Sequence, residues 1–515
     1  MRTRKAPVME TKTVLAQGAV DQTIQNVFGP FVDVLEKVVF FAIPIGEAEL
    51  PLVVIWLLMG GLFCTFYLRV RPFKDAKQTF RVVRGMLARK SDPGEVTSFQ
   101  AFATELAGTI GLGNIAGVAV AISLGGPGAS LWIIIAGLLG MALKLAEATL
   151  SQMFRRVNSD GSISGGPMYY LKDGLTSVGK PKLGSFLGRF YAIGFALSAF
   201  GAGNIFQANQ VALHVIDITG GTDSFFANKA WLIGVFLAIP AALVILGGIS
   251  AIAQWTSRMV PLMSVIYAVG VLAVLGANFT DIPHAASLIV SGAFNPDSIS
   301  GGVIGVMIIG IQRALFSNVA GVGTAGLAHS VTKNRRPAEE GFTAAWEPFF
   351  DSVVVCTLTA LSIIVTGQYL NQGEEGVTLA SNAFATVNGV FPWLLSLCII
   401  LFAFSTVLSY CFYGEKAAGY VFKENKIAEL GYKVVYLLMI IVGAAVSLDT
   451  VVRFSDATFF LVSIPNLLGI YLLAKPLRKE ITEYRASVDN GTIDVVPEHE
   501  QVKMFPKLEK TVADS

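Results

Sequence analysis

Groups that hold ions and small zwitterions are costly inside an apolar segment, yet this chain places several there. In the run AGTIGLGNIAGVAVAISLGGPG, Ala107 to Gly128, four glycines (Gly108, Gly111, Gly113 and Gly117) crowd around one amide, Asn114. Glycine lets a backbone leave helical geometry at low steric cost. The N–H and C=O groups released by unwinding cannot face lipid unsatisfied, so they must line a polar site. The N–H groups of the resuming half-helix suit a carboxylate. The freed carbonyls suit a hard cation such as sodium. The backbone of Gly111, Leu112, Gly113 and Asn114 is therefore the candidate seat of an anionic group, with the Asn114 amide a ligand for cation or substrate. The competing reading is packing: membrane helices also use glycine for close approach and Asn as interhelical glue.

A second run, LFSNVAGVGTAGLAHS from Leu315 to Ser330, echoes the first, with GLGN at Gly111–Asn114 aligning on GVGT at Gly321–Thr324. Other polar residues sit in apolar surroundings. Asn204 and Gln207 are three apart, a spacing that predicts one helix face. Ser405 and Thr406 are adjacent hydroxyls, which often only bond back to their own helix. Lys144 and Glu147 have the spacing to pair within one helix. Glu347 and Asp351 lie one turn apart and repel unless a cation is near, which makes Arg313 a candidate partner. These charges read as structural or gating networks, with a proton-coupling carboxylate as the rival. Nothing resembles enzyme machinery. There is no HExxH, the four cysteines lack metal-ligand spacing, the glycines miss GxGxxG, and no nucleophile stands with a base and an acid.

The elements that position these residues follow from composition. Of 515 residues 53% are hydrophobic and only 14% charged, with mean hydropathy +0.63 and net charge +2. That excludes a soluble globule and an electrostatic nucleic-acid binder. Long apolar runs predict an all-α polytopic membrane protein. Windows near 50–69, 100–123, 130–154, 187–214, 229–248, 257–277, 303–330, 343–367, 393–415, 432–448 and 454–474 give about eleven transmembrane helices. Residues 1–49 read as a tail and an interfacial helix whose Asp33, Glu36 and Lys37 share a polar side. The stretch 69–98 holds eight Lys and Arg residues, whereas loops 278–302 and 368–392 hold none, and the second of these carries Glu374 and Glu375. The charge rule then makes the basic loops and the C-terminal tail cytoplasmic and puts the N-terminus outside, despite five basic residues there. On that alternation the two glycine-broken helices run in opposite directions. Two five-helix units, 99–277 and 278–475, form an inverted repeat, preceded by an extra helix and basic loop (50–98) and followed by a soluble tail (476–515). Matched broken helices in such a repeat point to a secondary transporter.

At these residues the chain resembles the alanine/glycine:cation symporter family, the sodium:alanine symporters. GNIAGVA at 113–119, GGPGA at 125–129, GMALKLAEA at 140–148, SGGPMYYL at 164–171, LFSN and AHS in the second broken helix, and FSTVLSYCFYGEKA at 404–417 match its pattern. The resemblance covers about residues 97–420. It implies the inverted-repeat fold of the sodium-coupled leucine transporters, with an extra helix. It implies that Gln207 meets the substrate, that Phe316 closes over it beside Ser317 and Asn318, and that Thr406 serves the same site. It implies a sodium site at the carbonyls of Ala107, Ile110 and Phe402 with the hydroxyls of Ser405 and Thr406. Two positions depart from the pattern: Leu112 where the family usually has Thr, and Val319 where it usually has Glu. With both facing the substrate, the pocket would accept larger side chains.

The reading is a multi-pass protein of the cytoplasmic (inner) membrane, not an enzyme. It carries a small neutral amino acid, alanine- or glycine-like, together with sodium as the co-transported ion, by alternating access. Proton coupling, a different amino acid, and a channel or a sensor derived from a transporter stand as alternatives.

Overall fold

The computed structural model describes residues 19–45, 48–295, 302–371, 376–446 and 448–505. The basic residues of the first eighteen positions, Glu374 and Glu375 lie outside the described residues. The helices longer than one turn are α1 (Ala19–Val39), α2 (Leu52–Tyr67), α3 (Pro72–Val83), α4 (Ser98–Thr109), α5 (Ala116–Gly125), α6 (Ala129–Met153), α7 (Pro181–Phe200), α8 (Phe206–Ile218), α9 (Ala230–Ile245), α10 (Gly248–Ala277), α11 (Ile282–Phe294), α12 (Gly302–Asn318), α13 (Thr324–Ser330), α14 (Pro337–Ala344), α15 (Cys356–Val365), α16 (Val377–Ala385), α17 (Phe391–Val421), α18 (Lys426–Gly443), α19 (Leu448–Leu472) and α20 (Ala474–Asp489). The fold is mostly rather than wholly helical. Two antiparallel ribbons are present: Arg156–Val157 with Ile163–Ser164 lies in a connection between apolar windows, whereas Ala42–Ile45 with Ala48–Pro51 replaces the expected end of the interfacial helix and the first residues of the window 50–69.

Six segments are long and apolar enough to cross a membrane alone: Ala129–Met153, Pro181–Ile218, Gly248–Ala277, Pro337–Val365, Phe391–Val421 and Val451–Leu472. Counting each bent pair as one span raises the number to eight. Large apolar side chains point outward along them, Val265 at 61% and Trp393 at 58% exposure, as a lipid-facing surface requires. The molecule is a polytopic membrane protein.

The first glycine run does break its helix. A capping box starts α4: the Thr97 hydroxyl accepts the Gln100 amide at 3.1 Å, and the Gln100 side chain accepts the Thr97 amide at 3.0 Å. The helix stops at Thr109, a single tight turn follows at Leu112–Asn114, and α5 resumes 53° away. The second run interrupts its helix between α12 and α13. There Gly321 and Gly323 have φ of 91° and 100°, a conformation that costs L-residues more than glycine. Val319 sits at φ 46° in the same break, where a β-branched residue bears about 1–2 kcal/mol of strain. Around the breaks, α6 packs along α12, α13 and α14, while α4 lies against α10 and α17.

The buried charges pair differently from the sequence expectation. Lys144 does not turn to Glu147. It binds Glu105 of α4 and lies 3.7 Å from Glu347, because neighbouring helices bring carboxylates closer than its own. Glu147 instead accepts the Gly321 amide at 2.8 Å and the Asn466 amide at 3.0 Å, and so holds the second break. His329 of α13 bridges Glu340 and Glu347, both at 2.6 Å. Arg313 turns away from Glu347 and Asp351 and pairs with Asp456 of α19. In the N-terminal helix, Asp33 and Glu36 both meet Arg453, at 2.5 Å.

After α20 the chain runs back as a strap. Val496 donates to Met86 O at 2.9 Å, Val502 to Ala88 O at 3.1 Å, and Lys90 to Glu500 O at 2.9 Å. The Phe505 ring stands edge-on to Phe99, in the first turn of α4, at 5.0 Å. The tail that the sequence marks as a soluble extension is thus bound along the 84–99 segment.

Candidate functional site

The two breaks face each other. A Cβ on Gly113 would stand 3.3 Å from the Ser317 backbone, so the unwound turn of the first helix abuts the last turn of α12. Between them lies a small cavity lined by Gly111, Gly113, Gln207, Phe316, Ser317 and Thr406, and also by Gly108, Thr109, Ala202, Tyr410 and Phe459. It offers about 10 Å³ to the centre of a water, room for about one such molecule.

Its walls divide by chemistry. Phe316 lies edge-on to Phe206 at 5.1 Å and 6.0 Å from Phe459, which stacks on Tyr410 at 5.7 Å. The polar side consists of Gln207, the Ser317 and Thr406 hydroxyls and backbone. Gln207 donates to Ala202 O at 2.9 Å and accepts the Leu112 amide at 3.4 Å. Gln207 reaches the cavity because Gly201–Ile205 forms a wide π turn just before it. The same turn separates it from Asn204, which donates to Tyr436 O at 2.6 Å as a helix-helix contact. The expected shared face is therefore absent: the extra residue per turn rotates the two amides apart.

Four residues singled out in the sequence stand behind the cavity wall. Asn114 folds back, accepting the Gly111 amide at 3.0 Å and donating to Asp351 Oδ1 at 2.7 Å. Asn318 donates to Ser352 at 2.9 Å and accepts the Ala320 amide at 3.0 Å, pinning the second break. Leu112 is fully buried, but its side chain is not part of the lining, and neither is Val319. The sequence reading that placed both toward the substrate does not match this geometry.

The oxygens suited to a cation gather beside the cavity. Thr406 donates to Ala107 O and Phe402 O, both at 2.9 Å, and Ser405 donates to Phe402 O at 3.0 Å and Ala107 O at 3.4 Å. Each hydroxyl thus reaches α4 as well as its own helix. Ile110, the cap of α4, makes no hydrogen bond to either hydroxyl. A Cβ on Gly111 would come within 2.6 Å of Thr406 Oγ1, so only glycine leaves that hydroxyl its place. These are four neutral hard oxygens, the donor type that suits sodium over a soft metal.

The sequence reading left Asp351 as a structural or gating charge, with proton coupling as the rival, and it is central here. It lies in the π turn Phe349–Val355, fully buried. It accepts from Asn114 of the first break, from Ser317 of α12 at 2.9 Å and from Ser352 at 2.7 Å. The signal was present as a carboxylate beside a serine in an apolar run. Tyr410 was also within reach of the sequence, one turn beyond Thr406 on the same helix. Phe459 had no local signal, since only packing of α19 brings it here.

The chain is 36% identical over 428 residues to the sodium/alanine symporter AgcS of Methanococcus maripaludis, covering 82% of this chain and 92% of that one. It is 30% identical over 462 residues to the "Probable sodium/glutamine symporter GlnT" of Bacillus subtilis, covering 88% and 93%. The crystal structure of MhsT in complex with L-phenylalanine superposes with TM-score 0.53 at 17% identity, over 74% of this chain and 89% of that one, and so shares the fold. A model of the sodium:alanine symporter family matches residues 33–498. A membrane transporter rather than an enzyme, the chain belongs to the sodium:alanine symporter family.

Proposed function

We propose that this protein is a sodium-coupled symporter of a small neutral amino acid, working by alternating access in the cytoplasmic membrane. The observation that carries the reading is Thr406. Its hydroxyl lines the cavity and also joins Ser405, Ala107 O and Phe402 O in the oxygen cluster. An ion held there would fix α17 to α4 and present Thr406 to the substrate at once. The substrate carboxylate would take the amides of the unwound Leu112–Asn114 turn, with Gln207 and Ser317 completing its polar contacts. Phe316, Tyr410 and Phe459 would enclose a short side chain. This reading keeps eleven membrane helices, the inverted units 99–277 and 278–475, and a cytoplasmic C-terminus.

The test is uptake of labelled alanine into proteoliposomes. A sodium gradient should drive saturable accumulation that potassium does not replace, and glycine should compete. Absence of sodium-driven accumulation for every neutral amino acid tried would overturn the proposal. One observation favours a second reading: Asp351 joins both breaks and is a carboxylate rather than a neutral ligand. If an imposed pH gradient alone drives uptake and Asp351→Asn removes that response, the coupling ion is the proton.

A further inference from the structure

We infer that α3 and the end of α20 form a binding site for the headgroup of an anionic phospholipid. The helix has three faces. Its inner face is anchored on protein: Gln78 donates to the Tyr484 hydroxyl at 2.9 Å, Thr79 to Phe342 O at 3.4 Å, and Asp75 pairs with Arg485 at 2.9 Å. A second strip is apolar and open, with Phe73 63% and Phe80 55% exposed. The third strip carries Lys74, Lys77, Arg81 and Arg84. Among the described residues none of these four has a carboxylate at ion-pair distance, although fourteen other Lys, Arg and His side chains share eighteen such pairs elsewhere.

Geometry puts this helix at a membrane boundary. It leaves the membrane-spanning α2 at 85°, so it runs across rather than along the span direction. Phe73 stands edge-on to Trp346 at 5.5 Å and Phe349 at 5.7 Å, next to exposed Phe350, and aromatic clusters of this kind mark the headgroup level. A helix with one strip of Phe and an adjacent strip of Lys and Arg lies in the interface and is drawn to anionic lipid.

Beside the basic strip is an open hollow of about 400 Å³, between Arg71, Lys74, Lys77 and Arg81 on one side and Val488 and Asp489 on the other. Its two carboxylates are already engaged, Asp75 by Arg485 and Arg71, and Asp489 by Arg71 at 3.4 Å. The uncompensated charge facing the hollow is therefore that of Lys74, Lys77 and Arg81. A phosphodiester would fill it while its acyl chains run along Phe73 and Phe80. The apolar strip beside the charge is what selects a lipid over a free phosphate.

The test uses the full chain in nanodiscs of phosphatidylcholine containing brominated phosphatidylglycerol or brominated phosphatidylcholine. Quenching of Trp346 fluorescence is read as the difference between wild type and Trp346→Phe. Brominated phosphatidylglycerol should quench at a lower mole fraction than brominated phosphatidylcholine. Each basic residue removed should weaken that preference about fivefold, so Lys74→Gln with Lys77→Gln and Arg81→Gln should abolish it. Lys74→Arg with Lys77→Arg should keep it. If the triple variant does not fold, the exposed Lys74→Gln and Lys77→Gln are read singly. Equal quenching by the two lipids, or a preference unchanged in the Gln variants, overturns the inference. So does displacement of the lipid by millimolar glycerol phosphate, which would mean a site for free anions.

Discussion

At the residue scale the site rests on a few atoms whose neighbours are now named. Replacing Ser405 and Thr406 together by Ala removes two of the four oxygens of the proposed cation site. A hydrogen bond to a charged group contributes about 1.5–3 kcal/mol, so the sodium concentration for half-maximal uptake should rise roughly tenfold or more. Titrating sodium at saturating alanine checks this, and an unchanged midpoint would remove the ion from this cluster. Substrate size is the second residue-scale question. Because Leu112 is outside the lining, Leu112→Thr should leave the competition order of glycine, alanine and leucine unchanged. Phe459→Ala opens the apolar wall and should let leucine compete, with each methylene newly buried contributing about 0.8 kcal/mol. Competition of labelled alanine uptake in the two variants measures both effects. The chemistry of these residues was legible in the sequence because hydroxyls, amides and glycines in an apolar run must be satisfied somewhere. Direction was not legible. Asn114 and Leu112 are two residues apart, and only the geometry of one tight turn decides that neither side chain enters the cavity.

At the element scale the question is what keeps two broken helices in register. Gly111 meets Thr406 and Gly113 meets Ser317, so the first break cannot grow side chains without moving α12 or α17. Gly113→Val should therefore leave a protein that inserts and folds but does not transport. Uptake, together with melting temperature and surface labelling, separates this from a packing defect, and near-normal uptake would rule out a binding role for the turn. The broken helices themselves were readable from glycine content. Their supports were not, since an i, i+3 spacing suggests a Lys144–Glu147 pair, whereas helix packing supplies Lys144 with Glu105 and Glu347. That cluster ties α4 and α6 to the turn that follows α14. Lys144→Met should cost about 3–5 kcal/mol, because it leaves Glu105 buried without its cation and Glu347 with His329 alone. Thermal unfolding in detergent tests it, and a melting temperature within a degree of wild type would show that the carboxylates find other partners.

At the scale of the whole molecule, sequence order and spatial order disagree most at the C-terminal strap. Hydropathy marks residues after 476 as outside the membrane, and it has no means of showing where they attach, since hydrogen bonds between backbones leave no pattern in side-chain type. The strap covers the start of α4, the half-helix whose far end carries Ala107 of the oxygen cluster. Removing residues 491–505 should expose that end, so a cysteine introduced as Ser98→Cys should react with a soluble maleimide faster in the shortened chain than in the full one. Equal rates would mean that the strap does not shield α4. The four native cysteines are buried, which keeps the background low. The strap also imposes a schedule on biosynthesis. Phe99 emerges early, but its ring partner Phe505 is made roughly 400 residues later, about 20–80 seconds at ordinary rates of synthesis. Until then the start of α4 stays unlatched, so each new copy passes through an open form that only this late segment closes.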